Sequence, residues 1–181
     1  MKNVLILLAD GAEECEALVT RDVLLRAGLN VVTQSINERN EVLSQNKFLI
    51  KCDTSFDVDL NEFDAIVLPG GGRGTMNLDN YEKMDHILDH FFKKHKVVAA
   101  ICAAPMVLGH RGCLKNKHFT CFSGCEEGLD GFYTGKEVEM DDNIITARSM
   151  YYASEFALKI VSKLLGEETS NKVSRSIKNL K

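Results

Sequence analysis

A chain of 181 residues, 45% of them hydrophobic, can bury a core without disulfide or metal staples, and its length suits one domain spanning residues 1–181. The net charge is −4 and the longest basic run is Lys93-Lys94-His95-Lys96, which argues against a nucleic-acid partner. The N-terminal apolar run over residues 3–9 is too short to span a bilayer and is followed by Asp10, Glu13 and Glu14 instead of small residues, so no membrane partner is expected and the expected location is cytoplasmic.

Short apolar runs alternate with amphipathic ones along the chain, the pattern of a mostly parallel sheet wrapped by helices. Residues 4–8 predict a first strand, and residues 14–27 a helix ended by Gly28. A second strand is expected over 31–36, then a polar turn, then extended pieces around Val42 and over 48–51. Ala65–Leu68 reads as a buried strand running into Pro69-Gly70-Gly71-Gly72. The spacing of Met84, Ile87, Leu88 and Phe91 predicts a helix over 81–94. Val97–Ile101, apolar throughout, predicts a strand buried on both faces. Beyond it come a short helix, an irregular glycine-bearing region over 124–135, and a strand over 144–146. A helix carrying Ala157, Ile160, Val161 and Leu164 then closes at Gly166, and a polar helix follows from Thr169.

Cys102 stands between the Val97–Ile101 strand and Pro105. Proline is tolerated in the first turn of a helix and not in its interior, so the helix is expected to begin just after Ile101, with Cys102 on a strand-to-helix elbow. Ala100 and Ala104 lie two residues to either side, where a sharp elbow has no room for bulk; the spacing is that of the Gly-x-Ser-x-Gly nucleophile turn with alanine for glycine. A lone cysteine is ordinarily a small buried hydrophobe. At a helix N-terminus, however, unpaired N–H groups and the positive end of the dipole favour the thiolate, and a fall in pKa from about 8.5 to about 5.5 raises the ionised fraction at neutral pH from ~3% to ~97%.

Two further stretches fall on the same carboxyl edge of the expected sheet. In "LADGAEECEAL", Glu13 and Glu14 read as first-turn acids that offset the helix dipole, whereas Glu16 can turn its carboxyl toward neighbouring strand ends. A carboxyl pushed against a thiolate has a raised pKa and donates a hydrogen bond to it. The second stretch, "IVLPGGGRGTMN", lacks the Gly-Lys-Ser/Thr of a phosphate loop and the dinucleotide spacing. It reads as a tight turn whose N–H groups, together with the Ala103 amide, form an oxyanion hole if they face the thiol. The six cysteines (Cys15, Cys52, Cys102, Cys113, Cys121, Cys125) are irregularly spaced and read as reduced. His118, Cys121 and Cys125 resemble half a metal site, but no fourth ligand is in sequence, so neither metal nor cofactor is expected.

In this order and spacing, "GAEECEAL", "VLPGGGRG" and "AAICAAP" closely resemble the DJ-1/ThiJ/PfpI superfamily, the DJ-1/ThiJ-like branch in particular; "RAGLNV", "NIITAR" and "SEFALKIV" extend the likeness to nearly the whole chain. The resemblance implies an α/β, flavodoxin-like fold: a doubly wound, mostly parallel sheet with helices on both faces, usually paired as a homodimer. By position it implies Cys102 as catalytic nucleophile, Glu16 as its protonated partner, and Gly71 and Ala103 as amide donors. Gly70, Gly72, Arg148 and Met150 fall at the pocket rim. Activities of such proteins include glyoxalase chemistry without glutathione, deglycation of methylglyoxal adducts on proteins, peroxide sensing through sulfinic acid, and chaperone behaviour.

The chain departs from that pattern in two places. Many relatives carry a histidine in the segment that here reads Phe119-Thr120-Cys121-Phe122-Ser123, and a shift of a residue or two along a strand takes nearby His118 to another face. Ser149-Met150-Tyr151 replaces the usual Gly-Pro-Gly and makes the rim bulkier. The leading expectation is an enzyme in which Cys102 attacks a small 2-oxoaldehyde, or its adduct on a glycated protein, while Glu16 shuttles the proton. The alternatives are a peroxide sensor acting through Cys102 and a holding chaperone. A protease of this superfamily has histidine directly after the cysteine, where Ala103 stands here. An amidotransferase needs His-x-Glu downstream, which neither His110 nor His118 provides, so both are set aside.

Overall fold

The computed structural model describes residues 1–180. In chain order the elements are β1 (Asn3–Leu8), α1 (Glu14–Arg26), β2 (Asn30–Ser35), β3 (Glu41–Leu43), β4 (Leu49–Lys51), β5 (Ala65–Leu68), α2 (Gly72–Asp79) and α3 (Met84–Lys93). There follow β6 (Val97–Ile101), α4 (Pro105–Gly109), β7 (His118–Phe119), β8 (Phe132–Tyr133), β9 (Val138–Asp141), β10 (Ile144–Ala147), α5 (Ala153–Leu165) and α6 (Glu167–Ile177). Six strands form the main sheet in the order β2-β1-β5-β6-β10-β9, parallel except for β9, which pairs antiparallel with β10.

Successive side chains of a strand point to opposite faces, and here both faces are covered. Val4, Ile6 and Leu8 of β1, with Val67 and Ala99, pack against Leu24 of α1 and Phe156 and Ile160 of α5. Leu5, Leu7, Ile66, Val98 and Ala100 pack on the other side against Leu78, Ile87, Phe91 and Val107 of α2, α3 and α4. This is why the strands read as unbroken apolar runs. The flavodoxin-like arrangement expected from the resemblance is therefore present. No helix among the described residues is long and apolar enough to cross a membrane.

Several elements differ from expectation, among them α3, α2 and β9, while the irregular region expected over 124–135 includes the short strand β8, which pairs with β7. Helix α3 starts at Met84, and residues 81–83 form a turn whose Tyr81 carbonyl accepts from Met84 N–H. Helix α2 was not expected, because Gly72 and Gly74 lower its helix propensity. Tertiary packing overrides that preference: a Cβ added to Gly74 would stand 2.6 Å from the Ala12 Cα, so the glycine lets α2 press on the loop after β1. Strand β9 has no hydropathy signature because its burial runs against hydropathy, with Glu139 buried and salt-bridged to Lys136 while Met140 faces outward.

The strand order places β2 on one side of β1 and β5 on the other, so the carboxyl ends of β1 and β5 flank a topological switch point, with β6 beside β5.

Candidate active site

The loops after β1, β5 and β6 converge at that edge. Cys102 directly follows β6, with its N–H bonded to the Ala147 carbonyl (2.8 Å) and its own carbonyl accepting from Phe122 N–H (2.8 Å). Its φ is +63°, a left-handed conformation that costs a residue with a Cβ about 1–3 kcal/mol and that the two flanking bonds hold in place. The elbow is thus present, but α4 begins only at Pro105 and is five residues long. The expectation of a helix starting just after Ile101 is corrected, and the dipole of so short and displaced a helix is a minor influence on the sulfur.

Glu16 sits in the first turn of α1 and is fully buried. Its Oε2 accepts the Gly70 N–H at 2.7 Å, while Oε1 is buried with no hydrogen-bond partner. Burial pushes this carboxyl up to about 7; the Gly70 N–H and Cys102 pull it down, and the charge of Glu13 adds to the rise. Gly70 is required by close approach: an added Cβ would meet the Cys102 Cβ, the Glu16 Oε2 and the Ile101 carbonyl oxygen, each at 2.8 Å. A Gly70→Ala substitution is expected to force Glu16 and Cys102 apart and to destabilise the fold by about 1–3 kcal/mol, the range for overpacking. Thermal denaturation checks the stability, and Cys102 alkylation rate checks the site.

Beside an ionised Glu16 the Cys102 thiol is pushed up, to about 12, first by burial, then by the Glu16 charge and the bond to it; the N–H groups of Ala103 and Gly71 pull it down. The sequence reading, a sulfur lowered by a helix dipole, is corrected accordingly. The two groups titrate as a pair that loses one proton near pH 7 and holds the second far above it. Neither the Ala103 nor the Gly71 amide is bonded to a backbone carbonyl among the described residues, which leaves both free to face the sulfur.

Above the pair opens a cleft of about 480 Å³ whose floor includes Glu16, Gly71, Cys102 and Ala103. One edge is a polar chain in which Gln45 donates to Glu13 (3.0 Å) and accepts from Gly72 N–H (3.2 Å). Phe122, Cys125, Ser149, Met150 and Tyr151 also line it. Of the expected rim, Gly72 and Met150 are in place. Gly70 lies beneath the floor instead, and Arg148 is turned away, donating to the Gly135 carbonyl (3.1 Å) and the Tyr152 hydroxyl (2.6 Å) and lying over the Tyr152 ring. His118 pairs with Asp141 at 3.1 Å outside the cleft, so no histidine lines it. Glu13, read as a dipole acid, is both the N-cap of α1 and a cleft residue. No sequence signal placed Gln45, Phe122 or Cys125 in this cleft, since only folding brings their loops to Cys102.

Fold and site together define a flavodoxin-like α/β protein with a cysteine elbow and a buried carboxyl at the switch point. The sequence pattern of the DJ-1/PfpI family matches residues 2–163, and the chain belongs to that family. It is 36% identical over 180 residues to protein dj-1beta of Drosophila melanogaster, covering 97% of this chain and 96% of that one. Glutathione-independent glyoxalase DJR-1.2 of Caenorhabditis elegans is 33% identical over 181 residues, covering 97% and 96%. The chain spans 40% of the longer protein DJ-1 homolog B of Arabidopsis thaliana, at 36% identity. The crystal structure of Drosophila melanogaster DJ-1beta superposes with a TM-score of 0.90 at 34% identity over 97% of each chain.

Proposed function

We propose that the protein acts on reactive 2-oxoaldehydes, free or as hemiaminal adducts on protein amines, with Cys102 as nucleophile and Glu16 as proton carrier. The buried carboxyl supports this most directly: one oxygen is held by the Gly70 N–H, the other has no partner, and the group lines the same cleft as Cys102. A proton on Oε1 satisfies that oxygen by donating to the sulfur, while the Ala103 and Gly71 amides supply the sulfur's other donors. A proton on the sulfur leaves those amides facing a weak acceptor. The single charge of the pair therefore favours the sulfur, and one proton loss yields both a thiolate and an acid.

On methylglyoxal, the sulfur adds to the aldehyde carbon and the alkoxide that forms takes a proton from Glu16 beside the amide donors. The resulting carboxylate removes the hydrogen of that carbon as a proton and returns it at the neighbouring ketone carbon, giving a lactate thioester. The electron pair stays within the substrate: one carbon is oxidised and the other reduced. Water then cleaves the thioester and restores the thiol. On a hemiaminal, the amine leaves as the sulfur attacks. The Caenorhabditis elegans relative, named as a glutathione-independent glyoxalase, supports this reading. Its test is lactate formation from methylglyoxal by purified, reduced protein without glutathione; absence of turnover overturns it. Homodimerisation, which the family resemblance implies, belongs to the same proposal and is read by light scattering.

Peroxide sensing at the same sulfur is the second reading. Phe122 favours it, because an apolar side chain stands in the segment where a histidine would assist proton transfer. Its signature is oxidation centred on Cys102 that leaves Cys15 and Cys52 untouched.

A further inference from the structure

Cys102 shares its cleft with a second thiol, Cys125, which is partly exposed. Two backbone hydrogen bonds link the residues in series: Phe122 N–H donates to the Cys102 carbonyl (2.8 Å), and Cys125 N–H donates to the Phe122 carbonyl (2.9 Å). Cys125 lies in a segment over 123–128 that contains neither helix nor strand. Gly124 and Gly128 bracket it at φ +92° and +76°, and a Cβ added at either would have no neighbour within 4 Å, so this backbone has room to shift. The remaining cysteines are placed differently. Cys121 is sealed in the core, and Cys15, Cys52 and Cys113 do not line the cleft.

We propose that Cys125 is the resolving thiol of this site, capturing oxidised Cys102 as an intramolecular disulfide. The proposal rests on the reading of Cys102 as a reactive thiolate. A hydroperoxide gives one oxygen to the Cys102 sulfur as its O–O bond breaks, leaving a sulfenic acid and an alcohol or water. The Cys125 sulfur then attacks the Cys102 sulfur, the S–O bond breaks, and the hydroxyl departs as water with the Cys125 proton. Overall, two thiols are oxidised and one peroxide is reduced. Burial, with the Glu126 charge adding, raises the Cys125 thiol. Disulfide geometry needs the two Cα atoms within about 7 Å, and the 123–128 segment closes inward to reach it. The product blocks the nucleophile reversibly, so a thiol reductant reopens the site, whereas sulfinic acid does not respond to one.

The test treats reduced protein with a small molar excess of hydrogen peroxide and reads intact mass and non-reduced peptide maps. Loss of two hydrogens and a Cys102–Cys125 cross-linked peptide are expected, and Cys121→Ser retains both. In Cys125→Ser the cross-link is absent and Cys102 gains two oxygens. Wild-type protein that gains two oxygens at Cys102 while Cys125 still alkylates overturns the proposal, as does a cross-link to Cys121. A Cys102 left wholly unoxidised overturns it together with the thiolate reading, and the rate of Cys102 alkylation by iodoacetamide separates the two: fast alkylation confines the failure to the disulfide.

Discussion

Replacing Cys102 with serine is expected to lower lactate formation from methylglyoxal by at least about a thousandfold, because a hydroxyl at this position has no base to ionise it and the mechanism offers no other nucleophile. On the proposed mechanism the thiol works only as one half of a pair. Its sulfur belongs to a left-handed elbow residue and lines one cleft with Gly71, Ala103 and the Glu16 carboxyl, whose Oε1 has no hydrogen-bond partner. Serine keeps the shape and loses the ionisation, so the fold should survive, as circular dichroism and an unchanged melting profile would show. Cys102→Ala should fall to the same residual rate. Activity within tenfold of wild type in either variant would place the chemistry elsewhere.

Glu16→Gln is expected to trade activity for stability, with a sign set by pH. The carboxyl, whose ordinary value is 4.5, keeps its proton in the folded chain up to about 7, where the pair with Cys102 loses its first proton. Because the folded value is raised, the stability contributed by the fully protonated pair is present in full below about pH 4.5 and is lost as pH rises through about 7, amounting to at most about 3 kcal/mol. Glutamine never ionises. The variant should therefore gain on wild type across that window and hold its advantage above it, a melting-temperature difference that grows by roughly 6–12 °C for a chain of this size. Over the same range it should lose about a hundredfold to ten-thousandfold in turnover, the usual worth of a positioned proton carrier. Cys102 alkylation, which rises through about pH 7 in wild type, should shift to higher pH once the shared proton is gone. A melting difference that does not change with pH would mean that Glu16 is ionised in the fold.

The two variants ask different questions of one arrangement. Serine at the elbow removes the proposed nucleophile and leaves the buried acid; glutamine on α1 leaves the thiol and removes the proposed proton carrier. Gly70, which approaches both, is the position where a single methyl group should disturb the pair without altering either functional group.

Much of the fold is legible in the sequence. Unbroken apolar runs such as Val97–Ile101 announce strands buried on both faces, since hydropathy alone demands two covering layers. Pro105 after Cys102 marks the turn, and the first-turn position of Glu16 marks a carboxyl at the sheet edge. Helix α2 and strand β9 were not legible, because each forms against its local preference: two glycines are accepted for close packing on the loop after β1, and a buried glutamate is accepted for its lysine partner.

Chain order and residue type by themselves determined the layered α/β architecture, the elbow, and the identity of the thiol and the acid, because each depends on local hydropathy, turn chemistry and short spacing. Only the tertiary structure decided that one oxygen of Glu16 has no partner, that Arg148 turns away while Gln45, Phe122 and Cys125 reach the cleft, and that the Ala103 and Gly71 amides, and not a helix dipole, oppose the rise that burial imposes on the thiol. Those outcomes depend on contacts between segments tens of residues apart, and desolvation, which raises both the Glu16 carboxyl and the Cys102 thiol, exists only once those segments have closed over them.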